Sequence, residues 1–179
     1  LSQAETQGII PKRVNHFIRQ HWQEDAKPGS FRLRVKIHKT PIGARPIMNL
    51  SKAWIQPLSC FLVDALKPVM NAAPHVIQSS DQLLDKIRGT QVPPGFELAT
   101  VDIKNLYPCI DHSDFKAKMG NRLRRIWADR FAFASLILEL MSVLLQLQDV
   151  NFHDEIWAII KGFATGLSAG VGLANAYLA

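Results

Sequence analysis

Apolar side chains recur along this chain with two different periods, and each change of period marks a new element. Residues 11–22 set Val14, Phe17, Ile18 and Trp22 on one face of a helix, which AKPGS (26–30) then breaks. In FRLRVKIHK (31–39) the period drops to two. Phe31, Leu33, Val35 and Ile37 alternate with Arg32, Arg34, Lys36 and His38, which predicts a strand with one apolar and one basic face. Thr40, Pro41, Ile42 and Gly43 predict a turn, and ARPIMNL (44–50) the returning strand of a hairpin.

Helical spacing resumes at Pro57, where Leu58, Phe61, Leu62, Ala65, Leu66 and Val69 form an apolar face until Pro68 ends the helix. Ser79, with Gln82 three residues on, predicts the cap of a helix that packs Leu83, Leu84 and Ile87 before Gly89. TQVPPG (90–95) reads as a loop into Leu98, Ala99, Thr100 and Val101, a short apolar run expected to be a buried strand ending at Asp102. Ser113 is the expected cap of a further helix that buries Phe115, Met119, Leu123, Ile126 and Trp127. Its Arg122, Arg124 and Arg125 read as solvated surface, with nucleic-acid contact as the alternative. Between 131 and 147 the polar residues Ser135, Glu139, Ser142 and Gln146 recur at steps of four, three and four. That places them in one stripe of a helix buried over most of its circumference. Four glycines, Gly162, Gly166, Gly170 and Gly172, precede a last apolar run, 173–179, expected to enter the core as a helix. No internal repeat or low-complexity tract interrupts the series.

Composition narrows the class. The 179 residues suffice for one sizeable core or for two subdomains sharing one, and 47% hydrophobic with 20% charged residues is a globular balance rather than a disordered one. Lys and Arg number 21 against 15 Asp and Glu, a net charge of +6 that suits a polyanionic partner. Cys60 and Cys109 alone make no disulfide framework and have no neighbours at metal-ligand spacing, which points to a reducing compartment. The apolar stretch 131–147 contains Glu139 and falls short of the roughly 20 residues of a membrane span, so no membrane is expected. No signal peptide opens the chain, and both ends read as cut: the first residue is not Met, and Ala179 lies within an apolar run.

Three stretches carry candidate chemistry. An aspartate at the mouth of a strand is a turn former or helix cap, or else a ligand for a hard cation such as Mg²⁺, which takes oxygen donors. The basic face of the hairpin reads either as a charged edge that discourages strand pairing or as phosphate contact. With Lys39 and Arg45 flanking the glycine-containing turn, it carries more cations than an edge requires, which favours phosphate. The glycine-rich stretch lacks the Gly-Lys-Ser/Thr of a phosphate-binding loop and the setting of a dinucleotide fingerprint; by itself it reads as a small-residue helix packing site.

Taken in order, VKIHKTPIGARPI (35–47), TVDIKNLYPCI (100–110) and GFATGLSAGVGLAN (162–175) resemble the reverse transcriptase domain, most closely its Penelope-like retroelement branch, which is akin to telomerase. The first is similar to that family's Pro-Lys-Ile-His-Lys followed by Arg-Pro-Ile, the second to its motif A, and the third to its motif B. The resemblance implies that Asp102 is the first metal-binding carboxylate, with the Ile103 carbonyl as a ligand to the same ion. It places Tyr107 beside the sugar of the incoming nucleotide, favouring dNTP over NTP, and Lys39 and Arg45 on its triphosphate. Gly162 and Gly166 match the turn that approaches the templating pair, and Asn175 closes the motif. Arg32, Arg34, Lys36 and His38 are then expected to contact nucleic acid. Val35 stands in place of the family's Pro. Thr165, Leu167, Ser168, Gly170 and Val171 replace Met, Ser, Pro, Ser and Pro, and the paired aspartates of motif C occur nowhere in the sequence.

The fold class implied is α+β, part of a right-hand polymerase with helical fingers bearing a β-hairpin and part of an antiparallel palm sheet. Residues 1–95 would be fingers, 96–112 the palm strand with motif A, 113–160 a helical insertion returning to the fingers, and 161–179 palm motif B. The implied activity is RNA-directed DNA polymerisation, with two Mg²⁺ ions about 4 Å apart, an RNA template, a DNA primer and dNTP. A single aspartate does not hold both ions, so the 179 residues by themselves are expected to be inactive. The compartment implied is intracellular, and nuclear for a eukaryotic retroelement. A non-catalytic nucleic-acid-binding remnant is the main alternative; a phosphotransferase using Asp102 as nucleophile is disfavoured, because Lys104 stands where such sites carry a second Asp.

Overall fold

Changes of period in the sequence become changes of element in the structure over most of the chain, with exceptions described below. The computed structural model describes residues 1–21, 27–37, 40–73, 76, 77 and 79–178, and the fold over them is α+β. Helices α1 (Ser2–Thr6) and α2 (Lys12–His21) open the chain; α2 buries Ile18 and Asn15, half-buries Val14 and leaves Phe17 at the surface. Trp22, expected on the same face, lies outside the described residues.

Strands β1 (Gly29–Lys36) and β2 (Gly43–Asn49) form the expected antiparallel hairpin, with Arg34 opposite Arg45 and Leu33 opposite Pro46. Two helices follow where one was expected. α3 (Gln56–Ala65) ends, and α4 (Lys67–Asn71) begins with Pro68 in its first turn, where the missing N–H leaves no bond unmade. Leu58, Leu62, Leu66 and Val69 are buried. α5 (Ser80–Arg88) is capped by Ser79, whose side chain accepts from the Gln82 N–H at 3.2 Å. After the short α6 (Leu106–Cys109) come α7 (His112–Ile126) and α8 (Phe131–Gln146). Along α8 Glu139 and Gln146 are exposed, while Ile137, Met141, Leu144 and Leu145 are buried. The chain ends in β3 (Asp149–Phe152), β4 (Glu155–Ala158) and α9 (Gly170–Leu178). The core joins α3, α4, α7, α8 and α9, and Phe115 at its centre stands edge-on to Phe163 with ring centroids 5.1 Å apart.

Hairpin β3–β4 was not foreseen. It turns on His153 and Asp154, both at positive φ (51° and 63°), the backbone of a two-residue loop whose twist matches its strands. The stretch 113–160 is therefore not wholly helical. The sheet runs β2-β1-β3-β4, and β3 lies parallel to β1 through Gly29–Val150 and Ser30–Asn151.

Several expectations are corrected. Residues 98–101 form no strand: Leu98 is 77% and Val101 94% exposed, and 96–105 contain no buried residue. The apolar run specifies a segment that wants cover on both faces, but no strand among the described residues pairs with it. Leu83, Leu84 and Ile87 of α5 stay 42% to 48% exposed, because no described element lies over them. The apolar face of the ribbon is covered only at its root, by Phe31 against Phe152; Leu33, Val35 and Ile37 project beyond the core. Asp111, not Ser113, caps α7, its carboxylate accepting from the N–H groups of Ser113 (2.8 Å) and Asp114 (2.9 Å). Arg122 is half-buried rather than solvated, and its Nη1 donates to the Ala176 carbonyl at 2.6 Å.

Those two backbone bonds hold the Asp111 carboxyl below its ordinary pKa. Asp111→Ala is expected to lower Tm at neutral pH. A depressed folded pKa stabilises fully above the unfolded value of about 3.9, and the gap between the two proteins should close as pH falls below it. Thermal melts from pH 7 to pH 2 check this. Phe115→Ala is expected to cost about 3–5 kcal/mol in denaturant titrations, the range for emptying an aromatic site in a closed core.

Candidate nucleotide and nucleic-acid site

The glycine-rich bend lies between two other stretches, and backbone contacts hold it on both sides. Gly162 N–H donates to the Ile110 carbonyl at 2.9 Å, and Phe163 N–H to the Tyr107 carbonyl at 3.0 Å. Gly162 has φ +78°, and a Cβ there would stand 2.3 Å from the Tyr107 oxygen, so both conformation and space require glycine. On the other side the bend runs along the free edge of β2. Met48 N–H donates to Thr165 Oγ1 at 3.1 Å, and Thr165 Oγ1 donates to the Pro46 carbonyl at 3.5 Å. A Cβ on Gly166 would stand 2.0 Å from the Met48 oxygen. Further along, Ala169 N–H donates to the buried Ser59 Oγ at 2.9 Å, and Gln56 Nε2 to Ser168 Oγ at 2.7 Å. The structure thus brings together 46–50, 107–110 and 162–170, the ends of the three stretches that carried candidate chemistry.

Tyr107 is half-buried, and a Cβ on Gly170 would meet its ring edge at 3.5 Å. Burial raises its phenol pKa, so the ring stands neutral at physiological pH. Asn175 sits half-buried in α9. Arg32, Arg34 and Arg45 are exposed and Lys36 half-buried on one face of the ribbon. Among the described residues these four make no ion pair, so the face carries uncompensated positive charge. His38 and Lys39 lie outside the described residues.

Asp102 and Ile103 are exposed in the irregular 96–105 stretch, and the Asp102 carboxylate makes no hydrogen bond or ion pair among the described residues. No group of three or more His, Cys, Asp or Glu side chains is placed to hold a metal among them. Nor is any described helix long and apolar enough to cross a membrane.

Sequence reasoning missed two polar residues at the bend. Gln148 is fully buried; its Oε1 accepts from Ala164 N–H at 2.7 Å and its Nε2 donates to the Gly162 carbonyl at 3.3 Å. His112 Nε2 reaches the same carbonyl at 2.7 Å. A Gln immediately after a long apolar helix was the available signal, because an amide buried there needs partners. No protein-family model, curated protein or solved structure matches the chain.

The two contact glycines separate from the open ones by experiment. Gly166→Ala and Gly162→Ala are expected to destabilise by about 1–3 kcal/mol, the range for forcing backbones apart. Gly43→Ala, with nothing within 4 Å of its added Cβ, is expected to be near neutral. Chemical denaturation of the three variants measures the difference.

Proposed function

We propose that this chain is part of a reverse transcriptase domain of a retroelement: fingers and the first portion of a palm, from an enzyme that adds dNTPs to a primer on an RNA template. The observation that carries the reading is that the glycine-rich bend, 162–170, touches both 107–110, the end of the second family-like stretch, and 46–50, where the first such stretch ends and β2 continues. A chance likeness of three short stretches gives no reason for them to touch. In this reading Tyr107 presents its ring to the sugar. Arg45, beside Arg34, offers a two-pronged donor to the triphosphate, with Lys39 adding a point charge. Arg32, Arg34, Lys36 and His38 track the nucleic-acid backbone through phosphate contacts.

The reading implies two Mg²⁺ ions. The Asp102 carboxylate and Ile103 carbonyl are oxygen donors of the kind Mg²⁺ takes, but one carboxylate does not make a two-ion site. Primer extension by these 179 residues with Mg²⁺ and dNTPs on an RNA–DNA primer-template is accordingly expected to be absent, and robust extension would overturn that part of the proposal.

The free basic face, set beside an incomplete carboxylate set, favours one second reading, a non-catalytic nucleic-acid-binding module. Both readings expect salt-sensitive binding of the primer-template. Arg34→Ala is expected to weaken it and to reduce the slope of log K against log salt by about 1. The readings part at the nucleotide: the polymerase reading expects templated dNTP to bind the complex, and the binding-module reading does not. A titration across 50–200 mM salt, with and without dNTP, decides between them, and binding indifferent to salt and to Arg34 rejects both.

A further inference from the structure

The buried amide of Gln148 spans the peptide unit of Phe163. Its Oε1 takes the N–H of the residue after Phe163, and its Nε2 gives to the carbonyl of the residue before it, at 2.7 and 3.3 Å. A neighbouring β-strand offers a backbone the same pair of bonds, one acceptor and one donor. On the opposite side Phe163 N–H donates to the Tyr107 carbonyl at 3.0 Å, so this stretch is held from both flanks. Nε2 also donates to the Leu145 carbonyl at 3.4 Å, which ties the amide to the end of α8. His112 supplies a second donor to the Gly162 carbonyl at 2.7 Å; a carbonyl only accepts, so the Nε2 of His112 carries the hydrogen.

We propose that Gln148 is the positioning residue of the glycine-rich bend. By standing in for a strand, it fixes the bend against the 107–110 turn and so sets the room left beside the Tyr107 ring for a nucleotide sugar. The last step rests on the polymerase reading; the setting of the bend does not. The donor and acceptor of the amide are both required. Leucine at 148 leaves Ala164 N–H buried without a partner, and an ionised glutamate keeps the acceptor but loses the donor.

The test uses the full chain carrying Gln148→Leu or Gln148→Glu. It reads amide hydrogen exchange across 162–170 and the binding of dGTP and GTP to the chain on an RNA–DNA primer-template that presents a cytosine. In Q148L the Ala164 amide is expected to lose about tenfold in protection while Met119 and Ile137 keep theirs. Affinity for dGTP should fall by a similar factor and the preference for dGTP over GTP should shrink, with primer-template binding unchanged. In Q148E the neutral carboxyl supplies both bonds, while the ionised form keeps Ala164 N–H and turns a negative oxygen on the Gly162 carbonyl, so protection of the Phe163 amide in that same peptide unit should fall as pH rises, a dependence absent from the wild type. Unchanged Ala164 protection in Q148L overturns the inference, and so does a loosened bend with unaltered dGTP and GTP binding. Should Q148L not fold, a flat Q148E profile overturns it. If the wild type binds no dGTP over the templating cytosine, the polymerase reading fails instead, and the positioning of the bend is judged on protection alone.

Discussion

Two backbones approach so closely at Gly162 and Gly166 that a single methyl group would separate them, and the arrangement of the site follows from that. At Gly162 the neighbour is the carbonyl of Tyr107, and at Gly166 that of Met48. Contacts of this kind leave no space for a side chain to interpose. Much of the bend is instead paired within the protein: Gly162 N–H with the Ile110 carbonyl, Phe163 N–H with that of Tyr107, Ala164 N–H with Gln148 and Ala169 N–H with Ser59, while the Thr165 hydroxyl takes the Met48 N–H. A bend that depends on so many specific partners has essentially one conformation. The apolar core beneath it, with Phe115 against Phe163, fixes the height at which that conformation sits.

Much of this was legible because helices announce themselves locally. The apolar stripes of α3, α7 and α8 lie where their spacing put them, and the ribbon alternates as its letters do. Strand partners are a different matter. The run 98–101 has the composition of a buried strand, yet periodicity states which faces want cover and not whether a neighbour will come. The same gap separates the apolar stripe of α5 from its exposure. Hairpin β3–β4 escaped notice because His153-Asp154 carries no glycine, although the backbone adopts positive φ at both positions. In the site, the glycines were readable as close-approach positions, but what they approach was not. Gln148 stayed hidden because its value lies in three bonds to residues that only the folded chain brings near.

Electrostatics divides the molecule differently from packing. Four of the 21 basic residues, Arg32, Arg34, Lys36 and Arg45, share one ribbon face and make no ion pair among the described residues. Among the described residues the ion pairs, at Asp64, Asp85 and Asp114, are solvent-exposed links within or between neighbouring turns. Such pairs contribute little to stability. A cationic face left open in this way repels itself, a cost to the free protein that a bound polyanion would relieve.

The ribbon is a cantilever. Its root is clamped by two residue pairs to β3 and by Phe31 against Phe152, while the strands beyond Leu33 have nothing beneath them. A load applied to the tip would act as torque about that root. Met48 lies on the same strand and against the glycine bend, so Thr165 and Gly166 are the contacts a displacement of that strand would meet. Tip and bend are thus joined by one strand, which runs from Gly43 at the turn to Met48 at Thr165.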